Sequence, residues 1–85
     1  MLNMTEITFK RRNHYGVIVW ESNETVTDCG IELPRFRIVK EDELYTVKEN
    51  RPKHQNGYHY SVNTVAEKKL KDTIYWLNIN LHRLD

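Results

Sequence analysis

The chain has 85 residues, a net charge of +1 and one cysteine. That length points to one small domain. The near balance of thirteen Lys and Arg against twelve Asp and Glu excludes a strongly basic nucleic-acid protein and a strongly acidic mimic of one. One cysteine excludes a disulfide framework and a four-cysteine zinc site.

Thr5–Arg12 alternates, with Ile7 and Phe9 on one face and Lys10 and Arg12 on the other, so it reads as a half-buried strand. Asn13–Gly16 supplies turn residues. Val17–Glu21 is β-branched and apolar and predicts a central strand covered on both faces. Ser22–Thr25 is the next turn. Val26–Leu33 alternates again, with Cys29, Ile31 and Leu33 on one face and Gly30 marking a bulge or a close approach. Pro34 ends that strand or holds an edge, because it cannot donate to a ladder.

Phe36 and Ile38 then face one way, and Arg35, Arg37 and Val39 the other. Glu41–Glu43 is an acidic turn, and Leu44–Glu49 resumes the strand pattern with Tyr45 and Val47. Residues 50–57 form a long polar loop, and Tyr58–Val62 predicts a last strand.

Thr64 with Glu67 three residues later is a capping box and predicts a helix over 64–83. Ala66, Leu70, Ile74, Leu77, Leu81 and Leu84 make its apolar stripe. The expected fold is α+β: an antiparallel meander of four to six strands under one C-terminal helix. A small barrel followed by a helix is the alternative.

Catalytic patterns are sparse. His14, His54, His59 and His82 share no metal-ligand spacing, so no metal and no other cofactor is expected. Cys29 falls on the apolar phase of its strand and reads as a buried thiol. Arg51, Lys53, His54, Tyr58 and His59 gather around the long loop. Such groups serve metal-free ribonucleases as acid, base and phosphate ligands.

Two surfaces stand out instead. Lys10, Arg12, Arg35 and Arg37 share the sheet face turned away from the helix, and Arg51 and Lys53 lie near it. A basic face of this kind fits phosphates. On the helix, Tyr75, Trp76, Ile79 and Val65 fall off the apolar stripe, as interface anchors do. A packed N-terminal segment or the 50–57 loop is the competing account of Trp76.

The expected function is therefore a non-enzymatic binding protein acting stoichiometrically on a protein partner, or on a second copy of itself as a homodimer. Nucleic acid is the alternative ligand. One Ala against eight Asn and seven Lys suggests an AT-rich genome and a phage or mobile-element inhibitor. No apolar run reaches the roughly 20 residues of a membrane helix, and the N-terminus lacks a signal-peptide pattern. Neither a membrane nor a small-molecule cofactor is expected as partner, and the cytoplasm is the expected location.

Overall fold

The computed structural model describes residues 6–28, 30–51 and 60–84. The elements in chain order are β1 (Phe9–His14), β2 (Val17–Ser22), β3 (Thr25–Asp28), β4 (Ile31–Pro34), β5 (Phe36–Glu41), β6 (Leu44–Arg51), β7 (Tyr60–Glu67) and α1 (Leu70–Leu84). Five strands form an antiparallel sheet in the order β1-β2-β5-β6-β7, and β3 and β4 form a separate two-stranded sheet. The large sheet is open rather than a closed barrel. The fold is α+β, with the C-terminal helix packed on β6 and β7.

Tight turns fix the registers. Tyr15 and Gly16 both have positive φ, 53° and 90°, the pattern of the primed two-residue turns that match strand twist. The Asn13 carboxamide oxygen accepts the Gly16 N–H at 2.8 Å. The β5–β6 hairpin turns the same way on Asp42 and Glu43, at φ 49° and 68°. There an ordinary L-residue, Glu43, occupies a left-handed position that costs it about 1 kcal/mol or more.

These registers put Phe9, Trp20, Phe36, Ile38, Tyr45, Val47 and Val65 on one face. Ile7, Phe36, Ile38, Val47 and Leu77 are buried together, and Leu70, Ile74 and Leu81 pack against them from the helix. The alternation expected for Phe9, Phe36, Ile38 and Val47 thus builds the core.

Four expectations need correction. The helix starts at Leu70, not at Thr64. Residues 60–67 pair with β6 through Tyr45↔Glu67, across a bulge between Val47 and Lys48. Thr64 sits in that bulged stretch and its hydroxyl donates to the Val47 carbonyl at 3.3 Å. A ladder along most of β6 satisfies more main-chain groups than a local capping box does. Ala66 is consequently an exposed strand residue.

The second correction concerns 26–33, which folds as the β3–β4 hairpin rather than one strand. Val26 pairs with Leu33, and Gly30 turns the chain at φ 82°, a conformation open to glycine. Cys29 lies outside the described residues. The third concerns β2, which stands next to the edge strand β1, while β5 holds the centre. Val17 is 59% exposed, although Val19 is buried. The fourth is β1, which begins at Phe9 and runs on through His14.

Asn78 ties the N-terminal segment to the helix. Its Oδ1 accepts the Ile7 N–H at 2.8 Å, and its Nδ2 donates to the Ile7 carbonyl at 3.1 Å and to the Ile74 carbonyl at 3.0 Å. The side chain therefore stands in for a strand partner of Ile7, whose own side chain is buried in the core.

Candidate functional site

α1 is apolar on two opposite faces. Leu70, Ile74, Leu77 and Leu81 turn to the sheet. At about 100° per residue, Tyr75, Ile79 and Trp76 span an arc of roughly 100° centred opposite them. They are 60%, 41% and 42% exposed. The Tyr75 and Trp76 rings meet edge-to-face at 5.6 Å and 70°, so the two aromatics hold each other rather than the core. Asn80 donates to the Trp76 carbonyl at 2.8 Å, spending its amide on the helix. The result is a small contiguous apolar patch on the outermost side of the molecule's one helix among the described residues.

Val65 does not belong to this patch. It is a β7 residue opposite Val47 and packs against the core, because the helix begins five residues after it. Three of the four expected anchors remain together on one helix face.

The expected basic face is divided by the structure. Lys10, Arg12 and Arg37 do lie on the sheet face away from the helix, in register with Glu21 or beside it. Glu21 takes Arg12 Nε at 3.5 Å and His14 Nε2 at 3.2 Å. Arg37 Nε is buried and has no hydrogen-bond partner. On the neighbouring strand, Lys48 donates to Glu41 at 2.9 Å.

Arg35 and Arg51 are elsewhere. Arg35 lies just before β5, at the bend where regular alternation has not yet begun. Its guanidinium donates to Glu24 at 2.8 Å and to Glu49 at 3.2 Å, and stacks 4.7 Å above the Phe36 ring. Arg51 donates to the other Glu49 oxygen through Nε at 3.0 Å and pairs with it through Nη2 at 2.9 Å. The Glu49 side chain is 6% exposed and that of Arg35 14%. Two cations thus neutralise a nearly buried carboxylate, as burial of charge demands. This is a structural cluster at the sheet's end, and it withdraws both arginines from the basic face.

Lys53, His54, Tyr58 and His59 lie outside the described residues, as does the side chain of His82. Of the grouping suited to ribonuclease chemistry only Arg51 is described, and it is engaged by Glu49. Among the described residues no three His, Cys, Asp or Glu side chains gather as metal ligands do. No helix among them is long and apolar enough to cross a membrane. Comparison with protein-family models, curated proteins and solved structures gave no match.

Proposed function

We propose that this chain is a non-enzymatic binding protein that engages a protein partner through the outer face of α1. The observation that carries the reading is the placement of Tyr75, Trp76 and Ile79 opposite the core stripe of the same helix. A chain this short needs its large apolar groups for the core, so three of them gathered on the outside of one helix are costly unless something covers them. Aromatic anchors of this kind dominate interface energetics, at about 2 kcal/mol or more for a central residue. The AT-rich composition bias suits an accessory protein of a phage or other mobile element, acting stoichiometrically as an inhibitor or regulator.

The test is capture from lysate of the native host, using the intact chain and its Ile79→Lys variant. Capture that resists nuclease and is lost in a folded Ile79→Lys variant supports the reading. Identical capture by both chains removes it.

Arg37 favours a second reading. It shares the helix-free face with Lys10 and Arg12, and three cations gathered on one face suit a phosphate backbone. Affinity for a mixed-sequence duplex would then fall by about 0.9 log units per contacted phosphate for each tenfold rise in salt. Affinity independent of salt would dismiss it.

A further inference from the structure

β2 and β5 part company midway along their length. Their ladder holds the rows Trp20↔Ile38 and Glu21↔Arg37 and no others. Towards the hairpin tips, β2 pairs with β1 alone and β5 with β6 alone. In an antiparallel ladder, successive residues turn their main-chain groups to opposite neighbours. The two-residue turns close on His14↔Val17 and Glu41↔Leu44, and those closing rows are the hydrogen-bonded kind. Stepping by two, Val17, Val19 and Glu21 turn to β1, while Arg37, Val39 and Glu41 turn to β6. Trp20 and Ile38 turn to each other and pair. The next rung is Ile18 against Lys40, and it is not made. No row of the ladder pairs the N–H and C=O that these two residues turn towards each other.

The missing rung opens a cleft of about 410 Å³ lined by Arg11, Val17, Ile18, Trp20, Val39 and Lys40. Its two sides differ chemically. Register places Arg11, Ile18, Trp20 and Lys40 on the helix-side face, and Val17 and Val39 on the other. Arg11 and Lys40 are exposed, and Lys40 Nζ sits 5.4 Å above the Tyr45 ring. Arg11 makes no ion pair among the described residues.

We infer that this fork is a strand-addition site for an extended peptide that alternates acidic and aliphatic residues. Free strand edges are templates for pairing, and here two of them face a volume within the range of ligand sites. The peptide's main chain takes the N–H and C=O of Ile18 and Lys40. Its acidic side chains lie towards Arg11 and Lys40, and its aliphatic ones against Val17 and Val39. This site is separate from the α1 face and stands or falls independently of it.

The experiment uses the isotope-labelled full chain, amide hydrogen exchange and two synthetic peptides, acetyl-Glu-Val-Glu-Val-Glu-amide and its lysine counterpart. In the free chain, the Ile18 and Lys40 amides should exchange at least about tenfold faster than those of Trp20 and Ile38. The glutamate peptide should shift and protect the two fast amides and bind about tenfold more tightly than the lysine peptide. In the double variant Arg11→Glu with Lys40→Glu the preference should reverse. Both changes are at exposed positions, and a reversed preference reports a folded site. Ile18 and Lys40 amides as slow as those of Trp20 and Ile38 would overturn the proposal. So would equal perturbation by both peptides, or none by either at millimolar concentration.

Discussion

Replacing Asn78 by Ala removes the carboxamide that serves Ile7. Three hydrogen bonds go, two of them to the main chain of a residue whose side chain is buried. Leaving two such groups without partners costs about 1–3 kcal/mol each. If the segment instead frays into water, the packing of Ile7 is lost, at about 2–5 kcal/mol by analogy with large core truncations. Ala is a better helix former than Asn by about 0.5 kcal/mol, which offsets a little. The net expectation is a loss of about 2–3 kcal/mol.

Urea titration followed by tryptophan emission measures it. With a slope near 1 kcal/mol per molar, the midpoint should fall by about 2–3 M. Asn80→Ala is the matched control, because among the described residues the Asn80 side chain bonds back only to the Trp76 carbonyl, and it should be neutral or slightly stabilising. A pair of variants with the same midpoint would refute the clamp, since both change the same residue type on the same helix.

Glu49→Gln should destabilise by about 1–3 kcal/mol, because it removes the carboxylate that Arg35 and Arg51 share and leaves Arg35 only its Glu24 ion pair among those described; chemical denaturation reads this. Replacing Arg35, Glu49 and Arg51 together by apolar residues of similar size should cost less than Glu49→Gln alone, as the same titration would show. Glu43→Gly should stabilise by up to about 1 kcal/mol by relieving its positive φ, visible as a rise in melting temperature. Ser22→Ala should lose about 1–3 kcal/mol, since its hydroxyl accepts the Phe36 N–H at 2.9 Å and donates to the Glu24 carbonyl at 2.7 Å; thermal melts would record it.

Patterns with a short period were legible before any coordinates. The alternation of Phe36, Ile38, Tyr45 and Val47, and the helical spacing of Leu70, Ile74, Leu77 and Leu81, identify the core from neighbours in sequence. What was not legible depends on partners far along the chain. Asn78 looks like a weak helix former until Ile7, 71 positions away, supplies its hydrogen bonds. Thr64 and Glu67 satisfy the local rule for a helix start, yet β6 offers those residues a longer ladder.

The same limit governs the surfaces. Tyr75, Trp76 and Ile79 stand off the stripe by helical geometry alone, so their exposure could be anticipated. Val65 leaves this patch because the helix starts later than the Thr64 capping box predicts. Alternation places Arg35 on the open face, but it lies at a bend where Glu24 and Glu49 draw it aside. The gap between Ile18 and Lys40 has no signal in either strand, since it arises from how two hairpins diverge.

The central claim is that the outer face of α1 meets a protein. Its most direct test is a photo-reactive phenylalanine analogue in place of Tyr75, irradiated inside cells of the native host. A discrete protein cross-link should form, and it should disappear when Trp76→Ala is added to a chain that still melts cooperatively. A folded chain that yields no discrete protein cross-link from position 75, or one indifferent to Trp76→Ala, would contradict the account.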